Sequence, residues 1–289
     1  MGLRRELHNY IKIPNNINKS NIDSYLAGLW EGDGHLTFTY SKVTNKITNA
    51  TLAITFHIKD LPLCQHLQSI LGGYIRLKTE NNACVLSFHS RSSLISIVQR
   101  ISSYLRSPKI YKFNMLIDFL NTKEHLNLQQ AIIDNSPLGS NSWLSGFIDA
   151  DGGFQIYYNT TSKVRIRCIL KIEQRMIEPF SNLSYKDLFS KISEFLNCNL
   201  RISIHNKDKT YFSVEANNRI SLQIILDYFN NFSLYSSKHL DYKDWASAAK
   251  LLLSNEAYLP TNREQIVIHK SNMNSKRIFF NWDHLEGLY

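Results

Sequence analysis

Residues 24–38 read SYLAGLWEGDGHLTF, and residues 142–156 read SWLSGFIDADGGFQI. Aligned on their last acids, Asp33 and Asp151, both run Ser, aromatic, Leu, small, Gly. Each continues with an acid, a small residue, Asp-Gly and an alternating apolar run. The copies stand 118 residues apart, and the segments that follow them match in order, so a whole half of the chain is repeated.

In the first half, HLTFTYS (35–41) and ITNATLAITFHI (47–58) alternate as paired strands. LPLCQHLQSILG (61–72) has helical spacing and a glycine stop. YIRLKTE and CVLSFHS follow as strands, then SSLISIVQRISSYL (92–105) and YKFNMLIDFL (111–120) as amphipathic helices. The second half repeats this order with GFQIYYN, VRIRCILKIEQR, YKDLFSKISEFL, NLRISIH, YFSVEAN, RISLQIILDYFNNF and SKHLDYKDWASAAKLLL. The expected fold class is α+β, with two pseudo-symmetric αββαββα repeats and antiparallel sheets. The expected divisions are 1–123, a polar linker 124–140 holding Pro137 and Gly139, 141–254, and an addition 255–289 without a counterpart.

The chain has 289 residues, 43% hydrophobic and 20% charged, enough to bury a sizeable core. Lys and Arg number 33 against 24 Asp and Glu, a net charge of +9 that suits a polyanionic partner. Cys64, Cys84, Cys168 and Cys198 form no C-x-x-C pair, which argues against a zinc site or disulfide scaffold. No apolar run reaches the ~18–20 residues of a membrane span. The opening MGLRRELHNYIKIP has no apolar core, so no secretory signal is expected. Heavy use of Asn, Ile, Lys and Tyr points to an AT-rich coding genome such as an organelle's, which makes a mitochondrial location the expectation.

Read as helices, the motifs place Gly28 and Gly32 on one face, and Gly146 and Ala150 on another. Small residues at this spacing let helices approach closer than the usual ~8–10 Å, making a seam between the halves. Two core helices with incidental glycines are the alternative. Asp33 and Asp151 fall at helix C-termini, where the dipole disfavours a carboxylate by a few tenths to ~1 kcal/mol. Side-by-side parallel packing would also bring the two charges together. A shared divalent cation accounts for this arrangement, and oxygen-only ligands favour Mg²⁺ over zinc.

These stretches, LAGLWEGDG (26–34) and LSGFIDADG (144–152), resemble the motif that names the LAGLIDADG homing endonucleases. The resemblance covers nearly the whole chain and implies motif helices at the interface of two halves whose sheets form a saddle over DNA. It assigns metal binding to Asp33, Asp151, Gly32 and Ala150, and Mg²⁺ as cofactor, Mn²⁺ or Ca²⁺ substituting for binding. The first copy departs from the motif at Trp30 and Glu31, the second at Ser145 and Phe147. Glu31 and Asp149 point elsewhere on their helices and are read as capping or supporting charges. The resemblance also places Gln174, in LKIEQR, near the active-site water, and Asp60, in FHIKD, as its first-half counterpart. Helix capping is the other reading of Asp60. Lys109 and Lys238 occupy the family's basic position before each closing helix, to polarise the scissile phosphate or order water. A solvated cation at a helix start is the alternative.

Strand alternation defines the face that would read DNA. Arg165, Arg167 and Lys171 share a side of one strand, as do Arg76 with Lys78, and Arg201 with Ser203 and His205. Thr39, Ser41, His57, Tyr157 and Asn159 add polar groups suited to major-groove edges. A merely solvated face is the alternative at any single position. The expected protein is a monomeric intron-homing endonuclease cutting both strands of a long asymmetric duplex, with no membrane partner. The competing expectation is an intron-encoded maturase assisting group I intron RNA, with or without cleavage. The basic stretch NREQIVIHKSNMNSKR (262–277) suits either, or packs as a helix on the second half.

Overall fold

A computed structural model describes residues 22–160, 163–205 and 209–288. The opening segment that bears on secretion therefore lies outside the described residues.

The first motif is helix α1 (Ile22–Asp33) and leads directly into β1 (Gly34–Tyr40). β2 (Ile47–His57), α2 (Leu61–Leu71), β3 (Tyr74–Lys78) and β4 (Ala83–Phe88) follow, then α3 (Arg91–Ile101) and α4 (Ile110–Glu124). The second half repeats the series as α5 (Trp143–Asp151), β5 (Gly152–Asn159), β6 (Arg165–Arg175) and α6 (Lys186–Phe195). It continues through β7 (Leu200–His205), β8 (Lys209–Ala216), α7 (Arg219–Asn231) and α8 (Lys238–Leu253). Two helices in succession thus fill the closing helical place of each expected repeat. The basic stretch after the second half forms α9 (Pro260–Ser271), packed on α8 and β5.

Each half is one antiparallel sheet, ordered β1-β2-β4-β3 and β5-β6-β8-β7. One face carries the core: Ala50, Leu52 and Ile54 on β2 match Cys168, Leu170 and Ile172 on β6, with Phe56 and Ile166 on the same face, all buried. Local signals end the helices where the sequence directs. Helix α2 starts with Pro62 in its first turn and stops at Gly72, whose φ of 72° is open to glycine at no steric cost. Ser90 and Asn218 cap the pseudo-equivalent α3 and α7 by accepting from Ser93 N and Ser221 N. All four cysteines are free thiols. Among the described residues no helix is long and apolar enough to cross a membrane.

The seam is α1 against α5, running parallel. Gly28 has no room for even one methyl, since a Cβ there would sit 1.9 Å from the Trp143 carbonyl oxygen. Gly146 meets the Tyr25 carbonyl oxygen at the same 1.9 Å, and a Cβ on Gly32 would lie 2.2 Å from Ala150 Cβ. The four seam residues expected from the motif are all at the crossing. Polar bonds join the halves around it: Ser24 Oγ with Ser142 Oγ at 2.7 Å, Tyr25 Oη donating to Asp149 at 2.8 Å, and Trp143 Nε1 donating to Glu31 at 2.7 Å.

Candidate active site

Parallel packing carries Asp33 and Asp151 to the same end of the seam. Asp33 faces solvent, while Asp151 is half-buried. Burial pushes the Asp151 carboxyl up to about 7, and the neighbouring Asp33 charge adds to the rise. Asp33 is raised by desolvation too, partly offset by Lys238 and then Lys109.

The lysines are not solvated cations at helix starts. Lys109 Nζ donates to the carbonyls of Gly32 (2.9 Å), Gly34 (2.8 Å) and Trp30 (3.3 Å), closing the C-terminal end of α1. Lys238 Nζ does the same for α5, through Ala150 O (2.7 Å) and Ile148 O (3.2 Å). An ammonium has three donors; those of Lys109 are all committed, whereas Lys238 keeps one. Desolvation lowers both ammonium pKa values against the pull of the surrounding acids. Among those acids, Asp151 acts most strongly on Lys109; on Lys238 Asp149 comes first, and Asp33 across the seam acts more than Asp151. Each lysine therefore crosses the seam electrostatically. The backbone carbonyls of Gly32 and Ala150 already receive lysine protons and keep one lone pair each.

Glu31 and Asp149 support this geometry. Glu31 accepts from Arg106 N and Ser107 N, and Asp149 from Tyr235 N and Ser236 N, so each motif helix holds the loop that presents its lysine. Burial raises the pKa of both acids, and these donors oppose the rise.

Gln174 Nε2 donates to Asp151 Oδ2 at 2.6 Å. Asp60 is not its counterpart. Gly34 pairs with Ile54, and Gly152 with Ile172, so two residues further along the strands Gln174 matches buried Phe56. The same register matches Asp60 with Glu178, a buried carboxylate that the sequence reading missed. Nor does Asp60 cap α2: its side chain makes no cap bond, and its Oδ1 instead accepts from Ser237 N across the seam at 2.7 Å. Glu178 accepts from Phe180 N and Ser181 N. Lys109, Asp151, Gln174 and Glu178 line one cavity of about 470 Å³ between the halves.

The strand-face residues share the sheet surfaces turned away from the core. Thr39, His57, Arg76 and Lys78 have one parity in the first sheet; Tyr157, Asn159, Arg165, Arg167, Lys171, Arg201, Ser203 and His205 have it in the second. Ser41 lies past β1, where its Oγ accepts from Val43 N and Thr44 N in the hairpin turn. His57 Nδ1 is likewise engaged, with Lys59 N. Two acids on this face also went unread. Glu173 binds Ser203, His205 (3.2 Å) and Lys171 (3.3 Å), and Glu215 pairs with Arg201 at 3.5 Å.

Two half-buried ammonium groups do not balance this centre, because six carboxylates (Glu31, Asp33, Asp60, Asp149, Asp151 and Glu178) act on them and Asp151 remains raised by burial and Asp33. Hard oxygen donors with excess negative charge fit a divalent cation. Among the described residues no cluster of three or more His, Cys, Asp or Glu forms a protein-only metal cage.

Known proteins resemble this chain in sequence and in fold. One relative is the intron-encoded DNA endonuclease aI3 of Saccharomyces cerevisiae, 29% identical over 94% of this chain and 74% of its own length. The intron-encoded RNA maturase bI4 of the same yeast is 26% identical over 64% of this chain and 27% of its own. The I-SmaMI LAGLIDADG homing endonuclease bound to cleaved DNA superposes with a TM-score of 0.71 at 20% identity, over 91% of this chain and 99% of that one, a likeness of fold. The sequence profile of the LAGLIDADG endonucleases matches residues 26–120 and 144–249, most of both halves, and the chain belongs to that family.

Proposed function

We propose that this protein is a monomeric, site-specific DNA endonuclease that cuts both strands of a long, asymmetric duplex, in the manner of intron homing. The observation that carries this reading is the convergence of Asp33 and Asp151 beside two half-buried lysines, with a polar sheet face on either side. Each sheet would follow the major groove for about one turn, ~10 bp, placing the acid pair over the middle of the site. Family membership and the intron-encoded relatives support this reading and a mitochondrial origin.

In this reading Asp33 and Asp151 hold Mg²⁺, with Mn²⁺ or Ca²⁺ able to replace it for binding. When bound, the cation lowers the pKa of water and stabilises charge on the attacking and leaving oxygens. The chain's own groups position the reactants. Gln174 fixes the Asp151 carboxylate and has a second N–H left to orient a water. Its oxygen accepts from Arg175 N and keeps one lone pair. The remaining Lys238 proton donor, on an ammonium within electrostatic reach of Asp33 and Asp151, suits a phosphate oxygen, while Lys109 must first release a helix carbonyl. Asp60 and Glu178 hold backbone at the rim of the centre. No covalent intermediate is needed.

The basic stretch 262–277 suits the nuclease and the maturase alike. Part of that charge is spent inside the protein, with Arg277 bridging Asp241 (3.0 Å) and Asp244 (2.6 Å). A cleavage selection on a randomised duplex library with Mg²⁺ tests the nuclease reading. Recovery of one long asymmetric site is expected, with Asp33→Asn and Asp151→Asn binding that site but leaving it uncut. Absence of any cleaved site, together with tight binding to group I intron RNA, would establish the maturase instead.

A further inference from the structure

The loops 105–109 and 234–238 present Lys109 and Lys238. Each is held from inside by the motif acid of its own half, as described above, and from outside by the chain that follows that half. For the first loop the outer support is the linker: Asp134 N donates to Leu105 O at 2.8 Å, and Arg106 pairs with Asp134 at 2.6 Å. For the second loop it is residues 282–288, which no repeat relation explains.

The contact is specific. Tyr235 O lies 3.1 Å from His284 Nε2, and because a carbonyl only accepts, this nitrogen carries the proton. The His284 ring stacks on His239, next in sequence to Lys238, with centroids 4.1 Å apart and planes 6° off parallel. Burial lowers the pKa of both imidazoles, His239 to about 3, so the stacked rings are neutral and do not repel. Trp282 also stacks with His284, at 5.6 Å. Further along, Leu288 O is bonded by His66 Nε2 on α2 at 2.9 Å. Helix α2 begins directly after Asp60, which holds Ser237 N. The segment thus closes a ring: lysine loop, residues 282–288, α2, Asp60 and back to the loop.

We infer that His284 is a positioning residue for strand cleavage, holding the 234–238 loop so that the Lys238 ammonium stays aimed into the acid pair. The inference rests on the reading above that Lys238 acts at a scissile phosphate. Because Lys109 has a different outer support, loss of His284 should impair one strand only. Misplacing a catalytic group by ~1 Å can cost up to about 100-fold in rate.

The test is single-turnover cleavage of the selected target in a supercoiled plasmid with Mg²⁺, with the two nicking rates followed separately in the full chain. Lys238→Met identifies the strand that depends on this lysine. His284→Ala is expected to slow the same strand by about 10- to 100-fold, accumulating nicked circles. The other strand keeps its rate, and that rate reports the folded fraction in the same molecules. His284→Gln, whose amide N–H can also reach a carbonyl, should restore most of the loss. His66→Ala, a milder release of the segment's far end, should slow the same strand by less. Equal slowing of both strands, or unchanged rates for both His284→Ala and His66→Ala, would overturn the inference. If Lys238→Met slows neither strand, the role assigned to Lys238 fails, and the inference falls for that separate reason.

Discussion

At the scale of single residues, Asp151 shows how far the site is from its lowest energy as an isolated protein. Its folded carboxyl titrates near 7, against about 4 for an exposed aspartate. A raised folded pKa gives stability that is full below the unfolded value and is lost as pH climbs through the folded one. Without divalent cation, Tm should therefore fall between about pH 4 and pH 7. Asp151→Asn should flatten this decline and melt higher than the parent at pH 8, by about 2–4 °C per kcal/mol recovered. Calorimetry in chelator measures both, and a lower Tm for the variant at pH 8 would show that its carboxylate is already compensated. Gln174 offers a second check. Its amide orients Asp151, and the matching first-half position is Phe56, so Gln174→Leu should slow one strand by about 10- to 100-fold more than the other. Equal slowing in strand-resolved cleavage would remove that asymmetry. The two acids were legible because helix-end carboxylates stand out against the dipole. The mates of Gln174 and Asp60 were not: FHIKD and LKIEQR look alike as strand ends, and only the ladder anchored at Gly34 and Gly152 shows their four-residue displacement.

At the scale of elements, the parallel α1–α5 crossing depends on the absence of two methyl groups. Gly28→Ala should destabilise the protein by more than the ~1–3 kcal/mol typical of overpacking, since the obstacle is a main-chain carbonyl and no side-chain rotation relieves it. Denaturant melts would measure the loss; an unchanged midpoint would mean the helices separate freely. The small-x3-small pattern made this contact readable from sequence. The lysine loops were read less well, because their burial depends on segments far along the chain: residues 134–136 for one and 282–288 for the other. No local periodicity encodes such supports.

At the scale of the whole molecule, the +9 charge and the outward rows of Arg and Lys imply many phosphate contacts. Log affinity for the target duplex should fall with log salt at a slope of about −0.9 per phosphate neutralised. Fluorescence anisotropy across a salt series checks this, and a flat line would argue that the basic faces meet something other than DNA. The slope should be shallower than a bare count of cations suggests, because Glu173 and Glu215 already pair with Lys171, His205 and Arg201. The repeat made both sheets and their faces legible, while these acids lay hidden among the basic residues of the same strands.

The bonds that flank the seam have a consequence for how the two halves recognise each other. Tyr25 and Trp143 hold equivalent places, as do Glu31 and Asp149. The far-reaching phenol meets the short aspartate, and the nearer indole N–H meets the longer glutamate. Two copies of the first half would set a long donor against a long acceptor and force them together. Two copies of the second would leave a gap between indole and aspartate, with both polar groups buried and unpaired. Complementary side-chain lengths thus make the duplicated halves a lock and its key, each matched to the other and mismatched to itself.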